Sequence, residues 1–398
     1  MSLLFFCNKN FPKYFNYCLP RHCCSFTIDI IIFYLSSLQN KCIAGLMSNF
    51  LDKYFGLIRQ FIAAKEEGSA VGLDIGNSDC KFVQIEKNGD AFQLLHWGIE
   101  PVTNDNIEAA LKRILDRLEP PHCCVHTAVS GKGTLIRYIA MPRMPLDDLR
   151  NSFAIEADKY FPFAQDQIYT DCFILDPQGK DKSMAVMAAA AKKELVDQRV
   201  QLLTKLGIQT DFIGINAVAL VNGLHVLGTG DLAKGEDPVV ALFDMGESVS
   251  NLTILVDKLP RFTRDIFIGG RDFTKMISNV LGVSFEEAQR LKQDPSDKAE
   301  QVLAACESSL MNMIQELKLS FDYFTTEQNC EIKKLLLTGG GSLLSGIEAT
   351  LEKAFEIKVG LWDPVALLKL SSNLSQEEFH RQSVRLGVAV GLALYRYD

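Results

Sequence analysis

Two short elements of one kind, 170 residues apart, constrain what this chain can fold into. Asp74-Ile75-Gly76-Asn77-Ser78 follows the apolar run Ala70-Val71-Gly72-Leu73, and Asp244-Met245-Gly246-Glu247-Ser248 follows Val239-Val240-Ala241-Leu242-Phe243. Each reads as a buried strand that ends in a carboxylate and turns on a glycine. An aspartate at a strand end can hold hydrated Mg²⁺ near phosphates, and the residues after it let backbone N–H groups approach phosphate oxygens without a Cβ in the way. One such turn is ordinary, because Asp and Gly are common turn residues. Two in matching context predict two lobes that close on one phosphate-bearing ligand.

The 398 residues leave room for about two domains. Net charge is −8 and Lys and Arg are scattered, so the electrostatic footprint of a nucleic-acid binder is missing. Eleven cysteines show no C-x-x-C spacing, and five of them (Cys7, Cys18, Cys23, Cys24, Cys42) fall in the first 46 residues; the body reads as cytosolic with reduced thiols. The histidines give no metal-site pattern, and no Ser-His-Asp or paired-carboxylate arrangement stands out. Residues 1–46 carry one acid, Asp29, and an apolar stretch from Phe26 to Leu38 that is too short for a comfortable membrane span. We expect them to be an upstream extension, disordered in isolation and set by start-codon choice, with a membrane anchor as the alternative.

Helical spacing of Phe50, Leu51, Tyr54, Phe55, Leu57, Ile58, Phe61 and Ile62 predicts an amphipathic helix over Asn49–Lys65. Strands follow at Val71–Ile75, Lys81–Lys87 and Ala91–Gly98, the last two joined by the hairpin signal Asn88-Gly89. A helix at Asn106–Leu118 and a strand at Cys123–Val129 come next. Between Gly131 and Asp176 the texture changes to a compact α+β insert, with the stiff turn Met141-Pro142-Arg143-Met144-Pro145 ahead of a helix. Met184–Ala191 then reads as a buried strand and Gly228–Pro238 as the lobe boundary. The second half repeats the first: a meander over Val239–Asp265, a capping box at Ser284-Phe285-Glu286-Glu287, one long helix over Lys298–Thr325, a strand at Lys334–Thr338 and a closing helix at Glu377–Tyr395.

Thr338-Gly339-Gly340-Gly341-Ser342 completes a three-part pattern with the two Asp-Gly turns, and Phe267-Ile268-Gly269-Gly270 adds a glycine pair before a helix. Together they resemble the actin-like ATPase superfamily. Within it, Arg137-Tyr138-Ile139-Ala140-Met141-Pro142-Arg143-Met144-Pro145 and Ile155-Glu156-Ala157-Asp158-Lys159-Tyr160-Phe161-Pro162-Phe163 are similar to the signature of the PilM family of type IV pilus assembly. The helix around Glu316, Lys318 and Ser320 resembles that family's E-I-R-R-S-x-x-Y element, and Arg385–Ala393 its last helix.

The resemblance implies an α/β, two-lobed actin-like fold of duplicated RNase H-like domains. The first lobe would take 69–130 and 184–232, the insert 131–183, and the second lobe 233–398 with a subdomain at about 272–331, after a helix within 47–68. It implies ATP and Mg²⁺ as ligands. Asp74 and Asp244 would position Mg²⁺ through the phosphates, and Gly76, Asn77, Ser78, Lys81, Gly246, Ser248 and Gly270 would line them. Gly339, Gly340 and Gly341 would face the adenosine, with Glu316 and Ser320 reaching the base or ribose. Asn216 stands where similar proteins usually carry an acid; an amide can orient water but cannot accept its proton, so hydrolysis is expected to be slow or absent. Leu319 replaces an arginine common in the family.

Pro142 and Pro145 stiffen a loop beside the Tyr160–Phe163 aromatics, which suits a groove for an extended peptide, with Arg137, Arg143 and Phe163 as its contacts. The plain alternative makes those aromatics the insert's own core. The resemblance names the peptide as the cytoplasmic N-terminus of PilN. It places the protein in the cytoplasm beside a PilN/PilO inner-membrane complex, with the pilus motor ATPase as a further neighbour. An FtsA-like division protein and a sugar-kinase-like enzyme are the alternatives.

Overall fold

The computed structural model describes residues 68–89, 91–103, 106–118, 122–179, 181–228, 239–365, 368–371 and 382–397. The extension 1–46, the helix expected at Asn49–Lys65 and most of the boundary Gly228–Pro238 lie outside them.

Two sheets of one design form the frame. In the first, β1 (Ser69–Ile75), β2 (Asp79–Asn88) and β3 (Ala91–Pro101) make an antiparallel meander, and β4 (His122–Val129) and β8 (Phe212–Ile215) continue it in parallel. In the second, β9 (Val239–Met245), β10 (Ser250–Val256) and β11 (Leu259–Ile266) make the meander, and β12 (Lys334–Thr338) and β13 (Lys358–Leu361) the parallel continuation. The strand orders β3-β2-β1-β4-β8 and β11-β10-β9-β12-β13 are the same path walked twice. Every residue of β1 is buried, as expected of a strand read as a continuous apolar run and covered on both faces.

Helices cover these sheets: α1 (Ile107–Leu115), α3 (Lys193–Lys205) and α4 (Asn216–Leu227) go with the first. In the second half, α5 (Gly270–Leu281), α6 (Phe285–Gln293), α7 (Ala299–Ala305), α8 (Glu307–Gln328) and α9 (Ile347–Phe355) surround a separate core that includes Phe243, Phe273 and Leu317. The helix read as continuous over Lys298–Thr325 is two helices, divided at Cys306.

The insert is a third sheet, β5 (Thr134–Pro142), β7 (Ser183–Lys192) and β6 (Ile168–Ile174), with α2 (Leu146–Glu156) against it. Its central strand is β7, pairing with β5 through Thr134↔Ala191 and with β6 through Ile168↔Lys192. The sequence reading gave that strand to the first lobe; its run of alanines suits the middle of a small sheet equally well. Phe153, Phe161 and Met187 fill the core beneath, and Tyr160 packs on Phe153 with its ring tilted, so most of the insert's aromatics are structural.

The C-terminal segment also departs from the expected range of the second lobe. β14 (Lys369–Leu370) pairs with β3, and α10 (Gly387–Leu394), buried along its whole length, packs on β1 and α4 of the first sheet. A Cβ on Gly391 would overlap the Ala219 carbonyl, and one on Gly72 would overlap that of Ala389. Polar anchors fix the same contact: Asn222 Nδ2 donates to the Gly391 carbonyl at 2.9 Å, and His126 Nδ1 meets the Leu392 carbonyl at 2.9 Å. Burial depresses the His126 imidazole to about 4, so near neutral pH it is uncharged and Nδ1 is the donor. Gly391→Val should lower unfolding stability by about 3 kcal/mol or more in urea titrations, since no side chain fits between helices this close. Wild-type stability in that variant would contradict the packing.

Candidate functional site

The aspartates at the two strand ends sit at matching places in the two sheets. Asp74 lies opposite Lys81 in the β1–β2 register and Asp244 lies opposite Asn251 in the β9–β10 register, so each faces the residue seven positions on. Lys81 Nζ binds Asp74 Oδ2 at 2.9 Å. Burial alone would push the Lys81 ammonium down, but Asp74 and Asp79 outweigh it and the net shift is upward. No such cation stands opposite Asp244. Burial first, and then the Asp74 carboxylate, push the Asp244 carboxyl up to about 7. The two lobes thus bring two acids within electrostatic reach of one another, with one lysine between them.

The glycine motifs converge on the same place. Gly270 N–H donates to the Gly246 carbonyl at 2.9 Å and Arg271 N–H to that of Glu247 at 2.8 Å, which stitches the second Asp-Gly turn to the start of α5. Gly341 lies against both Gly270 and Met245. Gly339 stands at φ +83°, and a Cβ there would run into the Asp244 carboxylate and the Met245 backbone. The glycine turn therefore rests directly on the second aspartate. In the first turn, Gly76 N–H donates to the Asp79 carbonyl at 3.1 Å, while Asn77 is exposed and Ser78 Oγ donates to Asp79 Oδ2 at 2.8 Å. Ser248 is half-buried in the second turn, and Asn216 is the first residue of α4, directly after β8.

Three basic residues that the sequence reading did not single out complete the cleft. Lys292 on α6 donates to the Gly270 carbonyl at 2.8 Å and to Thr274 Oγ1 at 2.7 Å, and burial lowers its ammonium to about 8 against the pull of Glu247. Its signal in the sequence was a lysine four residues after Ala288, on the buried face of a capped helix. Arg385 reaches Asp79 Oδ2 at 2.7 Å and lies beside Gly340, tying the first turn to the glycine turn. Arg199 on α3 is half-buried within electrostatic reach of Asp74; it donates to the Ala128 carbonyl at 2.9 Å and to that of Ile75 at 3.4 Å, holding the ends of β4 and β1.

Glu316 and Ser320 are elsewhere. Arg264 on β11 donates to Glu316 Oε2 at 2.6 Å and to Ser320 Oγ at 3.0 Å. Strand β11 is three places from β12, about 14 Å at the usual spacing. The helix that carries the E-I-R-R-S-like element packs against β11, and α6 supplies a buried cation by the glycine turn.

Ser320 instead lines a second feature, a groove of about 920 Å³ between the insert, the head of α4 and strands β10–β11. Arg137 and Phe163 line it, as does Leu319. Lys192 Nζ lies 5.4 Å from the Phe163 ring, and Phe267, Leu319 and Tyr323 present half-exposed apolar surface at its rim. Pro142, Arg143 and Pro145 do not line it. Pro142 ends β5 opposite Ser183, Pro145 precedes α2, and the Arg143 guanidinium is occupied by Asp176 Oδ2 at 3.0 Å and the Asp176 and Asp181 carbonyls. Those residues build the turn that supports the groove wall.

The acids are suited to a cation carried on phosphates more than to a cation held by protein alone. Among the described residues no group of three or more His, Cys, Asp or Glu side chains could cage a metal. Two facing carboxylates, one of them reluctant to ionise, would be relieved by a hydrated Mg²⁺ between them.

Residues 72–397 match the family model described as type IV pilus assembly protein PilM. A solved structure described as the PilM-PilN type IV pilus biogenesis complex is 24% identical, covers 83% of this chain and 98% of its own, and superposes with a TM-score of 0.72. Ethanolamine utilization protein EutJ from Carboxydothermus hydrogenoformans matches at 13% identity over 82% of this chain and 89% of its own, TM-score 0.47. MreB 5 of Spiroplasma citri bound to AMPPNP matches at 11% over 83% and 97%, TM-score 0.47. The two-lobed actin-like fold expected from the sequence is the fold found.

A carboxyl raised from 3.8 to about 7 costs stability that grows as pH climbs through that interval, because ionisation is harder in the folded state. Asp244→Asn should therefore stabilise the ligand-free protein at pH 8 by roughly 1–3 kcal/mol, with the gain shrinking at pH 5. Urea unfolding at the two pH values reads it, and an equal gain at both would mean that Asp74 and burial do not oppose the charge.

Proposed function

The chain belongs to the type IV pilus assembly protein PilM family, and from that premise we propose that it is an ATP-binding scaffold of the pilus assembly platform. One observation supports this reading: Asp74 from one sheet and Asp244 from the other lie within electrostatic reach of each other, and Gly246, Gly270 and Gly339–Gly341 pack together beside Asp244. Asp74 and Asp244 would hold Mg²⁺ carried on the nucleotide, and Gly76, Asn77, Ser78 and Ser248 would offer N–H and hydroxyl donors to its phosphates. Lys292 and the glycine turn would take the nucleoside side. When bound, Mg²⁺ supplies the positive charge that the paired acids and the phosphates both lack. At the head of α4, Asn216 leaves no carboxylate to take a proton from water, so this cleft is expected to hold ATP and turn it over slowly.

The groove is the partner's site in this reading. The related solved structure is a complex with PilN, and we assign to the groove the N-terminal segment of a PilN-like inner-membrane protein. Phe163, Phe267, Leu319 and Tyr323 provide apolar contact, and Arg137 a charged rim. No helix among the described residues is long and apolar enough to cross a membrane; in this reading attachment runs through PilN and its partner PilO, with the assembly motor as a further neighbour.

Asp74→Ala and Asp244→Ala should each weaken Mg·ATP binding tenfold or more by calorimetry, roughly the loss of one charge-assisted contact. Unchanged affinity in both would sink the nucleotide site. Phe163→Ala should weaken capture of a PilN N-terminal peptide about tenfold, the scale of a buried aromatic anchor. Full capture by a folded variant would move the peptide elsewhere.

A further inference from the structure

Arg385 is fixed at its backbone and adjustable at its tip. The Val384 carbonyl accepts the Gly339 N–H at 2.9 Å and the Thr338 hydroxyl at 2.8 Å, which fastens the chain just before Arg385 to the glycine turn. Just after it, Gly387 opens α10, which packs on the first sheet. The side chain reaches out from between these anchors. Its Nε lies 3.8 Å from where a Cβ on Gly340 would be, Nη1 donates to Gln382 Oε1 at 2.8 Å, and Nη2 donates to Asp79 Oδ2 at 2.7 Å. Asp79 begins β2 directly after the first Asp-Gly turn, and Ser78 Oγ donates to the same Oδ2 at 2.8 Å.

This pair lies among the groups assigned to the nucleotide. Lys81, at the Asp74 end, feels the charges of both Arg385 and Asp79, and so does Lys292, at the glycine-turn end. An aspartate here works against an anionic ligand. It repels phosphates and occupies a guanidinium whose planar fork suits them. Nor is the pair locked in a core: the two side chains are 16% and 21% exposed, and ion pairs open to water hold little energy. We propose that Arg385 is a phosphate ligand of the nucleotide and that Asp79 is its resident competitor, so that on binding the guanidinium exchanges the Asp79 carboxylate for phosphate oxygens. The inference rests on the nucleotide reading of the cleft above. Its place between Lys81 and Lys292, beside Gly340, assigns Arg385 to the phosphates nearest the nucleoside. Mg·ADP and Mg·ATP therefore meet it alike.

Calorimetric titration of the full chain with Mg·ATP and Mg·ADP tests it, because the two members of the pair should act with opposite sign. Asp79→Asn keeps an acceptor for Ser78 and removes the competing charge; it should tighten both nucleotides about threefold or more. Arg385→Gln should weaken both about tenfold and by the same factor, the scale of one charge-assisted contact. Mg·tripolyphosphate, which has no base or ribose, should compete about tenfold less well against that variant than against wild type. With Arg385→Gln already in place, Asp79→Asn should shift affinity by less than about twofold, since no guanidinium is left to release. If Asp79→Asn weakens binding as Arg385→Gln does, the pair is a clasp that shapes the cleft, and the proposal is overturned. It is equally overturned if Asp79→Asn tightens binding as much without Arg385, or if tripolyphosphate competes alike against Arg385→Gln and wild type. Failure of wild type to bind either nucleotide would instead overturn the reading of the cleft, and this inference with it.

Discussion

The burial of Asp244 within electrostatic reach of Asp74, where two duplicated sheets meet, is the constraint on which the candidate site depends. Each acid ends the central strand of its sheet, and the two sheets are duplicates in strand order, so a single duplicated design delivers two carboxylates to one point. An arrangement of this kind is unfavourable until a cation arrives. Lys81 offsets Asp74, while Asp244 is left to a raised pKa. A site that is held slightly against its own electrostatics is a site prepared for a ligand that brings positive charge with it.

The duplication is informative where it is broken. Seven residues after the aspartate, the first sheet has a lysine and the second an asparagine. Lys81 forms an ion pair with the first acid inside its own lobe. Asn251 neither neutralises Asp244 nor points only at it; it passes hydrogen bonding sideways to Asp265 and so to the insert. One position in a repeated hairpin thus separates a charge pair within one lobe from a hydrogen-bonded contact to the insert.

Most of the frame was legible in the sequence because its signals are local. Apolar runs ended by Asp-x-Gly gave both central strands, and the glycine turn at Gly339–Gly341 lies against the end of the second one. What the sequence left hidden depends on contacts between distant segments. The closing helix reads as the end of the second lobe, yet Gly72 and Gly391 let it lie against the first sheet. Strand β7 carries an alanine run that fits either sheet, and only its pairing with β5 and β6 places it in the insert. Arg143 looked like a groove residue because of its prolines, but Asp176, 33 positions away, occupies its guanidinium. Lys292 was overlooked for the opposite reason: a lysine on a short polar helix reads as solvated, and its burial against Gly270 appears only when the helices pack.

The central claim is that one nucleotide bridges the two lobes at the paired aspartates. A crystal structure of the protein soaked or grown with Mg·AMPPNP tests it most directly. The account predicts density for a Mg²⁺-bound triphosphate between Asp74 and Asp244, with the nucleoside against Gly339–Gly341 and Lys292. A nucleotide bound to one lobe alone, or at a place that touches neither aspartate, would contradict it.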